Sequence, residues 1–319
     1  MSAFHHRALH AHCISFLSLL DITHCYVVSK QWSEASAETL RLAEALVVNR
    51  ADQLLFLSKH CRRLSRLRLT DSATVRQAHA SAFLSLLENN AATLRELRFR
   101  YAFLSPDSRL DDLLLSVLYR CSRLTALSGE LWLSAEQTRR LLQACPQLEE
   151  LNVACTPFEA LLEPECAFPP LRALRSFEHL PLEEAPALVA AYPNLTSLVL
   201  CLEKETSRAQ LASLCWTLSR RLPALTRLEV LRDGLPGEDE PTVATEEDMA
   251  AAAPADACGA TLPCFPALES LQTRMVWFAM EAPSLKHLDS ASLEWELHLP
   301  TSVLASMFPR LDSMTCHGA

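Results

Sequence analysis

Hydrophobic positions along this chain fall into a short recurring unit. Stretches such as CRRLSRLRL, CSRLTALSG, CPQLEELNV, YPNLTSLVL and LPALTRLEV share the form x-L-x-x-L-x-apolar. Ten copies align, some degenerate, on first anchors at Leu64, Leu94, Leu124, Leu148, Leu171, Leu195, Leu225, Leu268, Leu285 and Leu311. Alternation at the end of each unit predicts a short strand that points every second residue to one side. Three residues before each anchor stand Cys61, Ala91, Cys121, Cys145, Phe168, Tyr192, Leu222, Phe265, Ala282 and Phe308, nearly all types that favour burial. Proline lies two before the anchor in seven copies, from Pro146 to Pro309, where it stops a preceding helix and favours extended backbone before it.

Between the units the period turns helical. Segments opening at Ser72, Ser105, Ser134 and Thr206 begin on good N-cap residues and carry apolar side chains three and four apart. Ser134 and Gln137 have the spacing of a capping box. Most anchor steps fall in or near the range of about 20–29 residues that marks a leucine-rich repeat. The predicted fold is therefore α/β, a leucine-rich-repeat solenoid with a curved parallel sheet and outer helices over residues 49–319 in about ten irregular repeats. No single copy can bury its apolar side alone. The long step from Leu225 to Leu268 holds an insertion at about 232–262 with eight acidic residues and one arginine. Its composition predicts a protruding acidic loop with a short helix after Thr245.

Composition narrows the function. Hydrophobic residues make up 50% of the 319 and charged ones 21%, enough for a sizeable core. A net charge of −9 repels phosphate backbones and anionic lipid, so no nucleic-acid or membrane partner is expected and the default partner is a protein. Only 5 glycines occur, which leaves no glycine-rich loop to cradle a nucleotide phosphate. The 12 cysteines are scattered without paired C-x-x-C spacing, so reduced thiols in a cytosolic or nuclear setting are expected, and no metal. CISFLSLL, starting at Cys13, is short for a signal core and lacks a small-residue cleavage site. Neither G-x-S-x-G nor H-E-x-x-H is present, and no Cys and His pair has dyad spacing. No catalytic residue and no cofactor is expected.

Ahead of the first anchor the apolar spacing is helical, and residues 1–48 read as a separate small segment. Ile14, Ser15, Phe16, Leu17, Asp21, Ile22, Val28 and Trp32 fall at the spacing of an F-box, and here the sequence resembles the F-box/leucine-rich-repeat family. The family's opening Leu-Pro would fall near His5 and His6. This resemblance implies an N-terminal helical F-box-like cap that docks a Skp-type adaptor, and through it a cullin, by Ile14, Leu17, Ile22, Val28 and Trp32. It further implies a substrate receptor of a Skp-cullin-F-box ubiquitin ligase, with an unknown protein cargo held on the repeat surface. A second reading is a non-catalytic scaffold or inhibitor whose N-terminal helices only cap the solenoid, since solenoid ends need capping.

Residues between the leucines face the open side of the sheet. Arg66, Arg68, Arg98 and Arg100 are the cargo-binding candidates, because guanidiniums on neighbouring strands about 4.8 Å apart can seat an acidic or phosphorylated segment. His5, His6, His10 and His12 read as a tail and not as metal ligands. Cys316 formally suits a prenylation site, yet it fills the last strand slot after Leu311 and Met314.

Overall fold

The computed structural model describes residues 22, 30–70, 75, 77–99, 109–162, 169–232, 242–255, 257, 262–274, 276–290 and 308–316. Two compact units are present, Met1–Leu131 with Arg139–Glu150, and Trp132–Thr138 with Leu151–Ala319.

In the first unit, α1 (Lys30–Leu42) leads to β1 (Ala45–Val48), and a 3-10 turn at Ala51–Gln53 runs into α2 (Leu54–His60). There follow β2 (Arg66–Leu69), α3 (Gln77–Asn90), β3 (Glu96–Arg98), α4 (Arg109–Leu118) and β4 (Ala126–Trp132). Trp132 at the end of β4 belongs to the second unit, and residues of both units make up α5 (Ala135–Ala144) and β5 (Glu150–Cys155). Strands β1 to β4 pair in parallel in chain order, with Leu46, Leu67, Leu97 and Leu127 opposite one another. Leu67, Leu97 and Leu127 are buried, each contributing about 1.5–3 kcal/mol by leaving water.

One backbone contact explains the register. The carbonyl of Ser65 accepts the amides of both Arg95 and Glu96, that of Arg95 accepts Thr125 and Ala126, and that of Thr125 accepts Glu149 and Glu150. The accepting residue always follows the leucine anchor. Ahead of these, the Glu44 carbonyl accepts Ser65 and Arg66 in the same way, which puts Ala43 in the anchor place of an additional copy. The sheet thus begins at Ala45, inside the stretch 1–48 that the sequence pattern assigns to helix. An alanine anchor hides this copy, because its short side chain breaks the leucine column.

The column of small and thiol residues packs as its composition suggests. Cys61, Cys121 and Cys145 are fully buried, and the Cys145 thiol donates to the Cys121 carbonyl at 3.5 Å. Burial pushes these thiols up to about 12, 11 and 12 respectively, so they are packing groups. Ser134 and Gln137 form the expected capping box, with amide contacts of 2.9 and 3.3 Å.

In the second unit come α6 (Phe158–Leu161), β6 (Ala173–His179), a 3-10 turn at Leu182–Glu184 leading into α7 (Ala185–Ala191), β7 (Ser197–Leu202), α8 (Arg208–Arg221) and β8 (Arg227–Arg232). Next are β9 (Thr242–Ala244), α9 (Glu246–Ala251), β10 (Ser270–Arg274), β11 (Val276–Phe278), β12 (His287–Ser290) and β13 (Ser313–Cys316). The parallel order is β6-β7-β8-β10-β12-β13, and Leu174, Leu198, Leu228, Leu271, Leu288 and Met314 share one register. The bifurcated carbonyls recur at Arg172, Thr196, Thr226, Glu269 and Lys286. Cys316 closes β13, paired with Ser290.

The expected protruding loop at 232–262 is in its described part a packed element. β9 pairs with β11 in a separate two-stranded parallel sheet, and Thr242, Val243, Ala244 and Met249 are buried. Trp216 on α8 donates its ring N–H to the Met249 carbonyl at 2.8 Å. The helix after Thr245 is present, and Thr245 and Asp248 form its capping box. That bond from the Thr245 amide holds the Asp248 carboxyl below its ordinary range. Residues 233–241, 256 and 258–261 lie outside the described residues.

Candidate functional site

Strand alternation builds the site. In β2, Arg66 and Arg68 are exposed while Leu67 and Leu69 are buried, so the two arginines share the sheet face opposite the leucine core. Across the ladder Arg66 stands opposite Ala45 and Glu96, and Arg68 stands opposite Val47 and Arg98. Val47 is 52% exposed, an apolar patch beside the guanidiniums. Ala45, Val47, Arg66, Arg68, Glu96 and Arg98 line a depression of about 420 Å³ on this face.

Charge is distributed unevenly over it. Arg98 pairs with Glu150 on β5 at 3.1 Å, across β4, where Ser128 stands opposite Arg98 in the register. Both side chains are nearly half exposed, so the pair adds at most about 1 kcal/mol to stability. Its consequence is for binding, because Arg98 already has an acid. Among the ion pairs of the described residues neither Arg66 nor Arg68 takes part. Of the four candidate arginines, then, the fold brings Arg66, Arg68 and Arg98 onto one face, and Arg100 lies outside the described residues. Sequence reasoning missed Val47 and Glu150. Val47 belongs to the hidden first copy, and Glu150 is 52 residues from its partner, a separation only the repeat register can bridge.

Of the five adaptor-docking candidates, Ile14, Leu17 and Val28 lie outside the described residues. Ile22 is helical and 6% exposed. Trp32 lies in the first turn of α1 and is half-buried. Ala35, Ser36 and Leu40 are buried, and spacings of three, four and eight residues from Trp32 put all four on one helical face. α1 packs against α2.

Among the described residues, no group of three or more His, Cys, Asp or Glu side chains could hold a metal ion. No helix among them is long and apolar enough to cross a membrane.

No protein-family model matches this chain, and no curated protein sequence matches it. Among solved structures, the crystal structure of the Rad7 and Elc1 complex in yeast contains a chain with a TM-score of 0.53 and 14% identity, covering 98% of this chain and 87% of that one. The leucine-rich-repeat-containing protein LegL7 from Legionella pneumophila gives a TM-score of 0.36 at 13% identity, over 87% of this chain and 85% of its own. The likeness to the chain of the yeast complex is one of fold, and with the carbonyl ladder it makes this chain an α/β leucine-rich-repeat solenoid.

Proposed function

We propose that this chain is a protein-binding receptor of the Skp-cullin-F-box type, whose N-terminal segment docks a Skp-type adaptor and whose β1–β3 face holds cargo. One observation carries the binding role, namely the face on which Arg66 and Arg68, which take part in no ion pair among the described residues, stand beside an exposed Val47. A guanidinium beside an apolar wall, once a partner covers it, is the kind of group that dominates interface energies. Support for the adaptor comes from the F-box-like spacing of Ile14, Leu17, Ile22, Val28 and Trp32. Rad7 is held in a complex with Elc1, and a fold shared over nearly this whole chain supports a second protein for this one too. In such a receptor the chain performs no chemistry of its own and acts by holding cargo and adaptor together.

Trp32 favours a second reading, a scaffold whose helices cap the repeats, because it shares a helical face with the buried Ala35, Ser36 and Leu40. Affinity purification separates the two. The receptor reading predicts adaptor and cullin in the wild-type eluate, lost on Leu17→Asp with an unchanged melting temperature. A scaffold instead shows neither protein with wild type, and a lowered melting temperature with the variant.

A further inference from the structure

Crossing the first unit's open face from strand to strand, side-chain character changes in a fixed order. β1 presents Ala45 and Val47, β2 presents Arg66 and Arg68, β3 presents Glu96 and Arg98, and β5 supplies Glu150 to Arg98. The apolar row and the basic row are adjacent, about 4.8 Å apart. Past Arg68 the charges cancel in part, since Glu96 stands opposite Arg66 and Glu150 holds Arg98. Three guanidiniums and two carboxylates share the surface.

That order discriminates between anions. A phosphate carries close to two negative charges and wants several converging donors, and here it would meet Glu96 and Glu150 as well as the arginines. A single carboxylate needs only one planar guanidinium for a bidentate contact. Arg68 can supply it, with no competing acid in its register row, where its neighbours are Val47 and Arg98. An extended peptide repeats its same-side residues about every 6.8 Å, somewhat more than one strand spacing. An apolar residue over Val47 therefore places the side chain two positions away over the arginine row.

We infer that this face binds an unphosphorylated linear protein segment carrying an apolar residue and, two positions away, an Asp or Glu, the apolar side chain packing on Val47 and the carboxylate bridging to Arg68 with Arg66 in support. This rests on the receptor reading for its biological use but not for its chemistry. Charge complementarity argues for the occupant: a locally basic row in a chain of net charge −9 attracts acidic segments that the rest of the surface repels.

The test is selection of a displayed library of random dodecapeptides on the intact chain and on Arg66→Glu/Arg68→Glu, with melting curves to show that both are folded. The wild type enriches peptides with an apolar-x-acidic element, and synthetic copies lose about tenfold or more in affinity by fluorescence anisotropy when the acid becomes Gln. On the double variant the enriched acid gives way to Lys or Arg. Three outcomes overturn the inference: no enrichment on the folded wild type, the same peptides on both proteins, or tighter binding when the acid is replaced by phosphoserine. Adaptor recovery is read in a separate experiment, so loss of the adaptor with peptide selection intact sinks the receptor reading alone.

Discussion

The side-chain carbonyl of Asn90 accepts the backbone amide of Leu64 at 2.8 Å, from one repeat into the turn of the one before. Its amide group donates to the Leu86 carbonyl at 2.7 Å and to the Cys61 carbonyl at 3.3 Å. With Asn90 only 2% exposed, no water can replace it. Asn90→Leu would leave the Leu64 amide buried and unpaired, at about 1–3 kcal/mol, while the Cys61 carbonyl keeps the Arg62 guanidinium at 2.8 Å. Asn90→Asp keeps the acceptor and loses the donors, so urea denaturation should rank the two substitutions apart from wild type.

A second prediction concerns crowding between repeats. A Cβ added at Gly129 would come within 2.5 Å of the Phe99 ring, and that ring already packs on Phe83 with centroids 5.5 Å apart. Gly129→Ala is expected to cost about 1–3 kcal/mol by overpacking. Adding Phe99→Leu should give back part of that loss, and a double-mutant cycle of melting curves reads the coupling.

Much of this fold is visible in the sequence because leucine fills the anchor column of the repeat. Leu64, Leu94, Leu124 and Leu148 are all fully buried, and each belongs to the column that the spacing picks out. β1 escapes because Ala43 fills its anchor place, so that only the Glu44 carbonyl, accepting Ser65 and Arg66, reveals the copy. Asn90 escapes for a different reason. A polar residue at the end of a helix reads as a solvated terminus until the preceding turn closes over it. At the site, the arginines follow from strand alternation, whereas the neutralising partner of Arg98 is 52 residues away and is brought to it only by the stacking of repeats.

His60 supplies a pH dependence. Burial, followed by the charges of Arg41, Arg62 and Lys59, lowers its pKa below the ordinary value of 6.5. The folded state therefore resists protonation that the unfolded chain accepts. Stability from this group is present above about pH 6.5 and declines as pH falls below it, because the unfolded state then binds more protons. His60→Gln should flatten that part of the stability curve, measured by urea denaturation between pH 5 and about 7.

Thiol reactivity should follow burial. Cys61, Cys121, Cys145, Cys201 and Cys215 are buried, and Cys264 is exposed. Brief alkylation of the native chain at neutral pH, read by peptide mass spectrometry, should modify Cys264 before the other five, since the reagent cannot reach a buried thiol. Labelling of Cys121 or Cys145 at the rate of Cys264 would contradict the packing described for the repeat turns.

The receptor account is tested most directly by mixing the purified full-length chain with a purified Skp-type adaptor and measuring mass by size-exclusion chromatography with light scattering. A stable one-to-one complex with wild type, absent with a normally melting Leu17→Asp variant and unaffected by Arg66→Glu/Arg68→Glu, is the predicted result. A folded wild-type chain that elutes at its own mass, apart from the adaptor, would contradict the account.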